Sequence, residues 1–289
     1  MVTSTPPSLE TPELMRRRLK VALRQARDTA DITQQEVADK LDWSVSKIIR
    51  IEQGVVGVTT TDLRALLSLY RIEDPAEVAA LVDLARGAKK QEWTQYRGVY
   101  AKESLSLFGT EGAARTMYKY EPTYVPGLLQ TEEYARALLH GLGRSESDVD
   151  LLVAARLERQ DLLERDVRPV LDFVLSESVL SWAVGGPGVM RNQLRRIMEV
   201  AELPNVFIRV LPFSAGAHPG MRGAFTILDF ADPELDDVLY LENAGGVTIT
   251  REQLEQVANY RATHSRLKEL ASDPADLSRM VTAISEARF

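Results

Sequence analysis

Hydrophobic positions in the first ninety residues recur at helical spacing. Over 14–29 they fall at Leu14, Leu19, Leu23 and Ala26 with charged residues between, which predicts a helix. Two short helical patterns, 33–41 and 45–53, follow with only Asp42-Trp43-Ser44 between them. A fourth helix, N-capped by Thr60 or Thr61, runs to Tyr70 and sets Leu63, Leu66, Leu67 and Tyr70 on one face. A fifth starts at Asp74-Pro75, where proline suits the first turn, and stops about Arg86-Gly87.

The texture changes from Gln91 onward. Aromatic residues thicken (Trp93, Tyr96, Tyr100, Phe108, Tyr118, Tyr120, Tyr124), and the periods begin to mix. The pattern predicts a helix over 111–120 with a break at Glu121-Pro122, then a turn and a Thr131-capped helix within 125–142, and an amphipathic helix over 148–165. Residues 167–176 alternate and are β-branched enough for a strand; helices at 177–184 and 187–201 follow. Strands are expected at 205–213, 223–230 and 237–243, and helices at about 250–271 and 274–287 close the sequence. The expected fold class is mainly α with an α+β C-terminal part. It comprises a polar arm (1–13), a five-helix domain (14–90) and a mixed α+β effector or partner-binding domain (91–289).

Composition sharpens this picture in three ways. The 289 residues are 45% hydrophobic, enough for packed cores. There is no cysteine, so disulfides, thiolate metal sites and thiol nucleophiles drop out, and a reducing cytoplasm is expected. Net charge is −7 but unevenly spread: residues 14–90 hold 14 Lys/Arg against 11 Asp/Glu, giving +3, while 91–289 carry −8. A mildly basic head joined to an acidic body suits a nucleic-acid partner better than the total suggests. No apolar run is long enough for a membrane span, and the first residues lack the basic and apolar regions of a signal peptide.

Two short helices this tightly joined need a small residue where their backbones approach, and Ala38 occupies that place. Val37, Leu41, Ile48 and Ile51 then point to a shared core, Ser44 caps the second helix, and Gly54 ends it. Val45, Ser46, Ile49, Arg50 and Gln53 are left facing outward. The stretch resembles the Cro/C1-type (xenobiotic-response-element) helix-turn-helix family through Thr33-Gln34, Glu36, Ala38, Ser44, Ile48, Arg50, Glu52 and Gly54. Asp42-Trp43 departs from the Gly-apolar turn usual there, and Ile49 from a small polar residue.

The resemblance implies a sequence-specific transcriptional regulator on double-stranded DNA, most simply a homodimer on a palindromic operator. It would place Gln34 on a phosphate, Val45 and Ser46 at base edges, Lys47 on a phosphate and Arg50 on guanine, with Thr60 and its loop on the same strand. Plainer roles stand beside these. Ser44 serves as a cap or as a base reader, Lys47 as a solvated lysine, and Arg50 as a partner of Glu52 or Glu36.

The body offers less chemistry. His140, His218 and His264 have no second histidine at ligand spacing, so no metal or cofactor is expected. GGPG at 185–188 lacks the GK[ST] of a phosphate-binding loop. Glu177 and Glu242 could form a carboxylate pair, but Glu177 could equally cap a helix or pair with Arg156 or Arg159, and no enzyme is expected. His218 is a turn residue or a pocket-lining group; Tyr124, Gln130 and Tyr134 cluster around a PGLLQT turn.

The motifs VPGLLQTEEYARAL (125–138), RLERQ (156–160), LSESVL (175–180), GAHPGMRGAFTILDF (216–230) and VLYLEN (238–243) resemble the C-terminal domain of actinomycete WhiJ-like regulators. That resemblance implies docking of a small BldB-like protein. A small-molecule ligand in the body is the alternative, and Tyr124, Gln130, Tyr134, Glu177, His218 and Glu242 are the candidate contacts for either.

Overall fold

Thr33 and Glu36 close a reciprocal capping box at the start of the second helix, and the whole head is punctuated by caps of this kind. The computed structural model describes residues 11–90, 92–243, 246–250 and 253–289. Most of the expected arm lies outside the described residues; Thr11 already caps the first helix. The described chain divides into two compact units: residues 11–92, grouped with Asp232–Leu235, and residues 93–231 with 236–289.

The head holds five helices: α1 (Pro12–Thr29), α2 (Gln34–Leu41), α3 (Val45–Glu52), α4 (Thr60–Leu69) and α5 (Pro75–Gly87). Leu23, Val37, Ala38, Ile48, Leu63, Leu66 and Leu67 are buried together in its core. The cap of α4 is Thr59 rather than Thr60 or Thr61: its hydroxyl accepts from Asp62 N at 3.0 Å, and Thr60 is the first helical residue. Thr59 wins because it alone is extended (ψ 156°) with its side chain over the third helical amide.

The turn between α2 and α3 accommodates its unusual sequence by backbone conformation. Asp42 takes the left-handed region (φ 55°, ψ 44°), the conformation that glycine adopts without cost and that Asp tolerates better than most residues. Trp43, half-buried, packs on the head core. Gly54 (φ 67°) ends α3 in a Schellman arrangement, with Gly54 N donating to Ile51 O and Val55 N to Arg50 O, both at 2.9 Å.

The body is built on one six-stranded sheet in the order β3-β2-β1-β4-β5-β6. The strands are β1 (Thr116–Glu121), β2 (Val170–Ser176), β3 (Val206–Leu211), β4 (Phe225–Asp229), β5 (Val238–Asn243) and β6 (Gly246–Thr250). β1, β2 and β3 run parallel, so each link needs a crossover; β4, β5 and β6 continue antiparallel on the far side of β1. Helices α6 (Lys102–Glu111), α7 (Glu132–Gly141), α8 (Glu146–Gln160), α9 (Glu177–Ser181), α10 (Pro187–Ala201), α11 (Leu254–Leu270) and α12 (Leu277–Arg288) complete it. One sheet face carries Tyr120, Val174, Phe225, Ile227 and Leu239, which pack on Val257 and Leu267 of α11. The other carries Met117, Lys119, Glu121, Phe173 and Thr226.

Three expectations change here. The segment expected as a helix over 111–120 is the end of α6, a turn and the central strand β1. β1 is hydrogen-bonded on both edges and buried on both faces, so pairing with β2 and β4 overrides its local pattern. The 148–165 helix ends at Gln160 and continues only as a 3-10 turn to Leu163. The last long helix begins at Leu254, not near 250, because Gly246–Thr250 forms the sixth strand against β5.

Candidate functional site

The head presents α3 by means of a buried charge. Glu52, at the end of α3, accepts from Arg27 of α1 twice, Nε to Oε1 at 2.7 Å and an Nη to Oε2 at 3.3 Å. Gln34, at the start of α2, donates to the same carboxylate at 2.7 Å. Arg27 also donates to Ile32 O at 3.0 Å. Side-chain exposures of 12% for Arg27 and 5% for Glu52 make this a buried clasp across three elements. The Glu52 carboxylate holds the Arg27 guanidinium pKa above its ordinary value.

With Glu52 so engaged and Glu36 bonded to Thr33, neither carboxylate serves Arg50. Ser46, Arg50 and Gln53 are exposed on the outer face of α3. Among the described residues Arg50 has no ion-pair or hydrogen-bond partner, so its forked donors are available to an external acceptor.

The remaining head positions are qualified by their contacts. Ser44 caps α3, its hydroxyl accepting from Lys47 N at 3.3 Å. Val45 is partly used by the core, against which it packs, so only part of its side chain is offered outward. Gln34 gives one amide hydrogen to Glu52 at 2.7 Å, which leaves its second amide hydrogen for the phosphate expected there. Lys47 is neither simply solvated nor free: its ammonium lies 3.2 Å from Asp62 and 3.4 Å from the Trp43 ring centroid. A phosphate would have to compete with Asp62 for it.

The body holds a cavity of about 150 Å³ at the carboxyl end of β1, the strand where the sheet order reverses. Its lining is charged. Arg159 of α8 grips Glu111 of α6 (2.7 and 3.0 Å) and stacks 3.9 Å over the Phe108 ring. Lys119 of β1 bonds Glu242 of β5 at 2.8 Å and Thr226 at 3.3 Å, with Glu121 Oε2 at 3.6 Å. Tyr124 donates to the other Glu242 oxygen at 2.9 Å. Lys119 draws Glu242 below the usual carboxylate range, whereas burial pushes Glu121 up to about 7.

Of the six candidates in the body, Tyr124, Gln130 and Glu242 meet at this cavity. Tyr134 does not line it; fully buried, its hydroxyl accepts from Val125 N at 3.1 Å and fixes the turn that carries Gln130. Glu177 pairs neither with Glu242 nor with Arg156 or Arg159: it begins α9 and accepts from Phe213 N at 2.8 Å. His218 lies instead beside the Tyr120 ring, on the α11 face of the sheet.

Glu111, Lys119, Glu121 and Arg156 were not among the candidates. The usable signal was the alternation Met117, Lys119, Glu121, which a strand reading of TMYKYE would have put on one face. Among the described residues no group of three or more His, Cys, Asp or Glu could hold a metal ion, and no helix is long and apolar enough to cross a membrane.

An outward helix set on a capped, clasped partner helix, in a unit separate from a mixed α+β body, defines the helix-turn-helix class of DNA-binding regulators. A family model described as a helix-turn-helix domain matches residues 18–81. A second, described as Domain of unknown function (DUF5753), matches residues 105–283, and the chain belongs to that family. No curated protein and no solved structure matches the chain.

Proposed function

We propose that the chain is a cytoplasmic, sequence-specific transcriptional regulator that binds a palindromic operator as a dimer, with a non-enzymatic body that controls binding through a small ligand. The observation that carries DNA reading is the exposed Ser46–Arg50–Gln53 face of α3, held on a frame whose own charges are already satisfied. An arginine so placed can donate two hydrogen bonds to guanine O6 and N7. Ser46 accepts either donor or acceptor edges, and the Thr60 hydroxyl can add a phosphate contact.

Ligand control draws its support from the charged cavity. A ligand there regulates only by binding the DNA-competent and incompetent states unequally. The WhiJ-like resemblance favours a second reading, docking of a small BldB-like protein, for which exposed Trp182 (60%) and Phe213 (57%) supply apolar surface.

The test is selection of bound duplexes from a random-sequence pool by the full chain. The expected result is an enriched palindrome with half-sites about 34 Å apart, or a multiple of that. Recovery of unenriched sequence, with affinity set by salt alone, would contradict the reading.

A further inference from the structure

The cavity in the body contains satisfied and unsatisfied groups, and the unsatisfied ones describe a ligand. Glu111 and Arg159 satisfy one another, as do Lys119, Glu242 and Tyr124. Two acceptor atoms have no hydrogen bond: Glu121 Oε2, whose nearest cation is the Lys119 ammonium at 3.6 Å, already committed to Glu242, and Gln130 Oε1. Glu121 is 0% and Gln130 2% exposed, so bulk water does not serve them. The orientation of the Gln130 amide is settled by its nitrogen, which donates to Val125 O at 2.6 Å. What these two lining residues lack is a hydrogen-bond donor, and beside a carboxylate an ammonium is the strongest one.

The cavity wall from α8 lacks the opposite partner. Arg156 bonds only neutral oxygens, Tyr100 Oη and Leu152 O, both at 3.0 Å. Among the described residues no carboxylate pairs with it. Burial lowers its pKa, as expected for a partly buried guanidinium with no carboxylate beside it. The same lining supplies apolar surface from Leu107, Phe108, Met117, Leu128 and Phe173.

We propose that this cavity binds a free amino acid or a close zwitterionic analogue, its ammonium on Glu121 and Gln130 and its carboxylate on Arg156. The size agrees: a volume near 150 Å³ accepts a benzene-sized molecule, so a ligand of about six to ten non-hydrogen atoms fits. A small uncharged side chain would lie on the Met117–Phe173 wall. This proposal rests on the ligand-control reading and adds the chemical class.

The experiment is calorimetry and thermal unfolding of the full chain with three matched sets of probes. The first is alanine, serine, valine and threonine; the second their decarboxylated amines; the third their deaminated acids. At least one amino acid is expected to bind about ten-fold or more tightly than both its amine and its acid, since each loses one charge-assisted contact. Arg156→Met should remove the advantage over the amine, and Glu121→Gln the advantage over the acid. Arg156→Lys, which keeps the charge, should restore part of it and serves where the Met variant does not fold.

Equal binding of amine and amino acid, unchanged in Arg156→Lys, would overturn the zwitterion while leaving ligand control standing. If no probe binds but a small-metabolite extract raises the melting temperature, the class is wrong and ligand control survives. If neither probes nor extract has any effect, both readings fail together.

Discussion

The head and the body both bury charge, but they dispose of it differently. In the head, Arg27 and Gln34 both spend hydrogen bonds on the buried Glu52 carboxylate, and an unpaired arginine, Arg50, is exposed on α3. Among the described residues of the body four buried polar atoms are orphaned, and two of them, Glu121 Oε2 and Gln130 Oε1, belong to residues that line the cavity, as does a guanidinium without a carboxylate. A frame that satisfies its interior and shows its unsatisfied donors to solvent is suited to a large external partner. A frame that keeps them within is suited to a small one.

The sharpest way to break the comparison is at the clasp. Glu52→Ala leaves Arg27 with only the exposed Asp28 as an ion partner and strips Gln34 of its acceptor. The head should lose about 3–5 kcal/mol, read as an earlier unfolding transition in urea. A loss below about 1 kcal/mol would mean that the clasp behaves like a surface pair.

The body should respond in the opposite sense. Burial raises Glu121 from 4.5 to about 7, with Lys119 and Glu242 the charged groups facing it. A raised carboxylate pKa contributes stability that is complete below the unfolded value and is lost as pH rises through the folded one. The stability of Glu121→Gln relative to wild type should therefore grow by about 3 kcal/mol from pH 4.5 to 8, read from the body's transition. A difference independent of pH would contradict the assignment.

Smaller effects sharpen the account of the head. Asp42→Gly should stabilise it by up to about 1 kcal/mol, because the left-handed turn is free to glycine and strained for aspartate. An unchanged melting temperature would mean that an Asp42 side-chain contact offsets the strain. Asp62→Asn releases Lys47 from its 3.2 Å pair and should tighten binding to any duplex at low salt by under about 1 kcal/mol. Tightening that depends on sequence would assign Lys47 to a base instead.

The same contrast governs what could be read in advance. The head is legible because its determinants are local: Thr33 with Glu36, Ser44, Pro75 and Gly54 each act within four residues, and the 3.6-residue period of Leu63, Leu66, Leu67 and Tyr70 is clean. Even there, the engagement of Gln34 by Glu52 joins residues 18 apart and could not be seen from either neighbourhood.

The body is decided by distant pairings. TMYKYE becomes the central strand only because β2 and β4 flank it, from more than fifty and one hundred residues away. Reading it as helix hid Lys119 and Glu121, and with them the cavity. Tyr124, Gln130 and Glu242 were found because they flank turn and strand-end motifs; Glu177 and His218 stood in similar motifs and belong elsewhere.

The central claim is that the outer face of α3 reads bases, and Arg50 carries it most directly. The measurement is the base preference of wild type and Arg50→Ala across every single-position variant of the selected operator, at fixed salt. The account predicts that the variant loses about 1–3 kcal/mol of discrimination at one base pair in each half-site and keeps its preference elsewhere. A variant that binds more weakly, or equally well, with every base preference intact would contradict it.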